Sequence, residues 1–196
     1  MYHYAGNNPV RYVDPDGREL TFIVDKTTQS MSVRLNVRDR NLVFIANETF
    51  AVTTHVIEKN DKNQPDKNAN ENLNPLKRNN NGSAWTQFPN GEWDITGVKD
   101  APQQNIDTYC KEQLITNAHQ LLPKRDGEGA IIYDKSGKVE VVDDWGYNIH
   151  YTENSNTAGC IGIKNKKSMN FLIFLYKLNE ILDPNSSKIK VIGTGE

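Results

Sequence analysis

The chain has 196 residues, of which 36% are hydrophobic, with two cysteines and a formal net charge of −2; its mean hydropathy is −0.70 and its pI near 6.1. That length suffices for one domain with a core, and the low hydropathy leaves a sizeable share for loops. The charge gives no footprint for a nucleic-acid partner, no run approaches the ~18 apolar residues of a membrane span, and Cys110 and Cys160 form neither a disulfide framework nor a C-x-x-C site.

Residues 1–20 combine aromatic alternation at Tyr2-His3-Tyr4 with turn signals at Asn7-Asn8-Pro9 and Asp14-Pro15-Asp16-Gly17. There is no charged start followed by an apolar core, so no secretory signal peptide is expected. The order Tyr2-His3-Tyr4, Gly6-Asn7-Asn8-Pro9-Val10, Tyr12-Val13-Asp14-Pro15-Asp16-Gly17 closely resembles the end of the Rhs core in polymorphic toxins. The usual leucine after the glycine is displaced by Arg18-Glu19 before Leu20. This resemblance implies that residues 1–20 are the tail of an Rhs core and residues 21–196 a toxin domain. It also implies delivery to another cell by an Rhs shell and secretion apparatus, and a cognate immunity protein.

Residues 21–56 read as β structure. Thr21–Asp25 and Ser30–Leu35 flank Lys26-Thr27-Thr28-Gln29 as a hairpin, and Asn41–Ala46 and Thr49–Thr54 supply two more strands. His55, at the end of the fourth, reads as a surface residue. Residues 59–83 are rich in asparagine and nearly free of apolar side chains, which predicts a long mobile loop, either an inert insertion or a lid. Pro89-Asn90-Gly91 is a strong turn, and Glu92–Val98 alternates as a strand.

Over 105–122 the apolar residues Ile106, Tyr109, Cys110, Leu114, Ala118, Leu121 and Leu122 recur at three- and four-residue steps. That spacing predicts a helix capped by Asn105 or Asp107 and ended by Pro123, with Cys110 a core residue. Ala130–Tyr133 and Val139–Val142 predict a hairpin across Asp134-Lys135-Ser136-Gly137. Trp145–His150 reads as a strand, Ser168–Leu182 as an apolar helix stopped at Asp183-Pro184, and Lys188–Ile192 as a final strand.

The candidate chemistry lies in Asn148–Ile163. His150 ends a strand, a polar loop follows, and Cys160 sits between Gly159 and Gly162 at the start of another apolar run. A thiol becomes a useful nucleophile when an imidazole or a backbone dipole favours its thiolate. Gly159 and Gly162 leave the backbone bare on both sides of the sulfur, which offers amides near Cys160 for an oxyanion hole. One cysteine and one histidine do not make a metal site, and no cofactor is expected. Thr157 is a candidate for shaping the loop, and Tyr151 for orienting His150 through its carbonyl or for contacting substrate.

Thr157-Ala158-Gly159-Cys160-Ile161-Gly162-Ile163, with His150 ahead of it, resembles the catalytic motif of L,D-transpeptidases of the YkuD type, in the short-loop form of phage-like and effector members. Phe88-Pro89-Asn90-Gly91-Glu92-Trp93-Asp94-Ile95 looks like the family's Thr-Pro-x-Gly-x-aromatic-x-Ile turn, and Phe22–Val33 like its opening hairpin. Three positions depart from the housekeeping pattern: Phe88 replaces threonine, Ala158 histidine, and Gly162 arginine.

The resemblance implies a mainly β (α+β) fold, a YkuD-like sandwich or barrel with two helices and a long Asn-rich loop. It implies attack by Cys160 on the L,D peptide bond of peptidoglycan tetrapeptide stems, with His150 as base and then acid. The thioester would pass to water, a D-amino acid or another stem. Such an effector would leave its producer without a signal peptide and act in the periplasm or wall of a target bacterium. Two other classes remain open on the sequence: an Rhs-associated nuclease toxin and a non-catalytic wall-binding module.

Overall fold

The computed structural model describes residues 20–39, 42–54, 87–101, 110–124, 130–153, 157 and 159–194. The Tyr2–Gly17 motif, His55, the Asn-rich segment 59–83, Ala158 and the capping Asn105 or Asp107 lie outside the described residues.

Among the described residues the fold is mainly β. Strands β1 (Leu20–Asp25), β2 (Ser30–Asp39), β3 (Leu42–Thr53), β4 (Gly91–Asp100), β5 (Glu112–Thr116), β8 (Asn148–Tyr151), β9 (Ile161–Ile163) and β10 (Lys188–Ile192) close into a barrel. Its order is β1-β10-β4-β5-β8-β9-β3-β2, and the β1–β2 pair completes the ring. Strands β6 (His119–Pro123) and β7 (Val141–Trp145), which lie between β5 and β8 in the chain, pair as a separate two-stranded sheet. One helix, α1 (Lys166–Leu182), packs its apolar stripe into the same core. It is not long and apolar enough to cross a membrane.

Period-2 alternation builds the barrel wall. Leu20, Phe22 and Val24 of β1 are fully buried and pair across the ladder with Leu35, Val33 and Met31 of β2. On the other side Phe22 meets Ile189 and Val24 meets Val191 in a parallel pair. A one-residue slip would turn this whole set toward solvent, so the register is strongly specified. Fully burying each such side chain contributes roughly 1.5–3 kcal/mol. Lys26, buried in the first turn, donates from Nζ to Phe88 O at 3.2 Å and ties the hairpin to the segment before β4. Trp93 Nε1 donates to Pro89 O at 3.2 Å across the Pro-Asn-Gly turn.

The helix expected over 105–122 is corrected: among the described residues this stretch forms β5 and β6. Cys110, Leu114, Ala118 and Leu122 are all buried at intervals of four. A step of four satisfies a strand period of two as well as a helical turn, so apolar spacing did not discriminate. Among the described residues one helix remains instead of two. The two strands expected at Asn41–Ala46 and Thr49–Thr54 are one strand, β3, paired with β2 from Leu42 to Ala51. The strand expected at Trp145–His150 is broken at Gly146 and Tyr147, where the chain passes from the β6–β7 sheet into the barrel. The hairpin expected at 130–142 keeps its Asp134–Lys138 turn and a Tyr133–Val139 bridge, but β7 takes β6 as its ladder partner.

α1 begins at Lys166, two residues before the expected Ser168, because Asn165 caps it. The Asn165 side chain accepts from the amides of Lys167 (2.8 Å) and Ser168 (3.2 Å). Its buried residues Met169, Leu172, Ile173, Leu175, Tyr176 and Asn179 follow helical spacing.

Candidate functional site: a cysteine and a histidine on neighbouring parallel strands

β8 and β9 run parallel, with Ile149 paired to Ile161, His150 to Gly162 and Tyr151 to Ile163. Ile149, Tyr151, Ile161 and Ile163 face the core. Alternation therefore turns Asn148 and His150 of β8, with Thr152 just after it, and Gly162 of β9, with Cys160 just before it, to the opposite face. Carrying the register back one step sets Asn148 beside Cys160, so His150 is diagonal to Cys160. Two residues along and one strand across is about 8 Å between Cα atoms.

His150 is 6% exposed, and its Nδ1 lies 2.8 Å from Tyr151 O. A carbonyl only accepts, so Nδ1 carries the proton and Nε2 keeps its lone pair. Burial lowers the imidazole pKa from its ordinary value, and the Tyr151 carbonyl opposes this by favouring the charged ring. Tyr151 thus meets the site through its carbonyl. Its side chain is buried, and its hydroxyl donates to Glu153 Oε1 at 2.7 Å. Lys166 Nζ stands over the tyrosine ring, 5.5 Å from its centroid.

Cys160 is half-buried. Desolvation raises its thiol pKa, against the Asn148 backbone amide and the charge of Lys99, which both favour the thiolate. Its Sγ contacts Gly146 O at 3.9 Å. Both shifts favour the neutral forms, thiol and neutral imidazole, over a thiolate–imidazolium pair. Gly146 is held there by its neighbour. Tyr147 is fully buried, packs on Phe88 with ring centroids 5.3 Å apart, and donates to Asp144 Oδ2 at 2.6 Å. Its carbonyl accepts from Thr116 Oγ1 at 2.5 Å.

The approach to Cys160 is shaped by two glycines and a threonine. Gly159 has φ +92°, a left-handed conformation that strains other residues. Thr157 Oγ1 donates to Cys160 O at 2.5 Å, which pins the far side of the loop. The β3–β9 ladder ends at Thr53–Gly162, so the Cys160 amide lies two residues beyond it. Gly162 faces a tight pocket: a Cβ there would lie 2.3 Å from Thr152 Cγ2, 2.7 Å from Thr53 Cγ2 and 2.9 Å from Thr157 Cγ2. These buried threonines leave no room for any side chain at position 162, the arginine of the housekeeping pattern included.

Cys110 sits elsewhere, in the core beside α1, with Sγ 3.4 Å from Asn170 Oδ1 and 3.8 Å from Lys166 O. Among the described residues no group of three or more His, Cys, Asp or Glu side chains is arranged to hold a metal ion. Sequence reasoning missed Asn148, Gly146, Thr53, Thr152 and Lys99 around the cysteine. The i, i+2 spacing of Asn148, His150 and Thr152 was the signal available for two of them. No protein-family model matches the chain, and no curated protein matches it in sequence.

Proposed function

We propose that the domain is a cysteine acyl-transfer enzyme acting on the L,D peptide bond of peptidoglycan tetrapeptide stems, as an L,D-carboxypeptidase, an L,D-transpeptidase, or both. The observation that carries the reading is the tautomer of His150. With Nδ1 committed to Tyr151 O, the free Nε2 belongs to the strand face that also bears Cys160. In this mechanism Nε2 takes the thiol proton as sulfur attacks the scissile carbonyl, and the amides of Gly159 and Cys160 stabilise the oxyanion. Collapse breaks the C–N bond, and the imidazolium proton passes to the departing D-alanine amine. The thioester is then opened by water, whose proton His150 accepts and returns to the thiol, or by the amine of a D-amino acid or a second stem. The neutral resting pair suits this cycle, because proton transfer accompanies attack.

The Rhs-like residues 2–17 support a role as an antibacterial effector, exported by a secretion system and acting in the periplasm of a target cell beside a cognate immunity protein. The test is incubation of purified tetrapeptide muropeptides with the protein, followed by mass analysis. Loss of one alanine, its exchange or dimer formation is the expected result, abolished by Cys160→Ala and retained by Cys110→Ala. In cells, toxicity should require periplasmic expression; equal toxicity from the cytoplasm would refute the wall as target.

A further inference from the structure

Strand β4 contains a β-bulge that re-aims everything after it. Ile95 pairs with Thr116 but Gly97 with Ile115, so Thr96 is the extra residue. Before the bulge Trp93 and Ile95 face the core, and after it Val98 does. Gly97 and Lys99 are thereby turned to the face that carries Cys160. Following the registers across β4, β5, β8 and β9, each carried one step where needed, gives two rows. One is Gly97, Ile115, Asn148 and Cys160; the next is Lys99, Gln113, His150 and Gly162.

Resting on the function proposed above, we infer that this four-strand strip seats the substrate peptide, with its scissile carbonyl at Cys160 and a free carboxylate of the peptide drawn to Lys99. Two independent observations point this way. At Gly97 no described atom beyond the glycine and its two chain neighbours lies within 4 Å of where a Cβ would stand. Its φ is outside the left-handed region, so turn geometry does not require glycine there, and bare backbone instead admits a ligand. Lys99 is exposed and forms no ion pair with any described residue, yet its charge reaches the Cys160 sulfur. The strip is roughly 14 Å across its backbones, a distance that the long lysine stem shortens. Between the two ends, Gln113 is 4% exposed, and its Nε2 is held by Asp100 O at 3.1 Å.

A stem tetrapeptide offers a terminal carboxylate on the departing D-alanine and side-chain carboxylates further back, and amidating each in turn distinguishes the sources. Initial rates are to be measured for wild type, Lys99→Met, Lys99→Arg and Gly97→Leu on the tetrapeptide and its amidated forms. Lys99→Met should raise KM about fivefold, the size of an exposed ion pair, with kcat within twofold and Lys99→Arg close to wild type. Amidation of the recognised carboxylate should cost wild type the same factor and Lys99→Met nothing. Gly97→Leu should raise KM without lowering the melting temperature. An unchanged KM in Lys99→Met, or an equal amidation penalty in both proteins, overturns the assignment of Lys99 while leaving the enzyme reading intact. A wild-type protein that turns over none of these peptides overturns both.

Discussion

The Gly162→Ala substitution probes the packing beneath the Cys160 loop with one methyl group. The new Cβ would lie 2.3, 2.7 and 2.9 Å from the Cγ2 atoms of Thr152, Thr53 and Thr157, against an ordinary carbon–carbon contact of about 3.5–4.0 Å. None of the three can yield easily. Each methyl is on a β-branched side chain with restricted χ1, and each threonine is buried. Because Gly162 is not in a left-handed conformation, the penalty is steric alone. Overpacking of this kind costs about 1–3 kcal/mol, and three simultaneous contacts place the substitution near 3 kcal/mol. For a chain of this length that corresponds to a fall in Tm on the order of 6–12 °C. Thermal and urea unfolding of wild type, Gly162→Ala and Gly162→Ala/Thr152→Ser should show the second change, which removes the deepest clash, recovering at least about 1 kcal/mol of coupling. The catalytic rate should fall with the stability, since displacing Thr157 loosens its bond to Cys160 O. A Gly162→Ala protein within about 0.5 kcal/mol of wild type, the range of neutral surface changes, would refute the packing account.

Three further outcomes follow from the same site. The acid limb of kcat/KM should lie below pH 6.5, because His150 must be neutral to take the thiol proton and burial lowers its pKa. Iodoacetamide alkylation of Cys160 should titrate above pH 9.0, and higher still in Lys99→Met, which removes one of the influences favouring the thiolate; a thiol titrating near neutrality would mean a preformed ion pair and sink the neutral resting state. Thr157→Val keeps the shape but deletes the hydroxyl on Cys160 O, leaving that carbonyl without this donor. It should destabilise the fold by about 1–2 kcal/mol and lower kcat more than it raises KM, as steady-state kinetics would reveal; an unchanged kcat would assign Thr157 to packing alone.

Local pattern alone was enough for the elements whose period has one interpretation. The alternation in Thr21–Asp25 and Lys188–Ile192 and the 3.6-residue stripe of α1 predicted their elements to within two residues at each end. The cysteine among glycines and the histidine ten residues before it were equally visible as a candidate site. Where spacing was degenerate, local pattern failed: apolar steps of four suit helix and strand alike, and the pairing of β5 with β4 and β8 chose the strand at 112–116. What only the tertiary structure decided was which side chains share a face. The parallel β8–β9 register sets His150 diagonal to Cys160, the bulge at Thr96 swings Lys99 away from the core, and three threonines from separate segments fill the space beside Gly162. A strand's own sequence fixes which residues alternate. Which face is buried, and what stands opposite, comes from hydrogen bonds to segments that are distant in the chain.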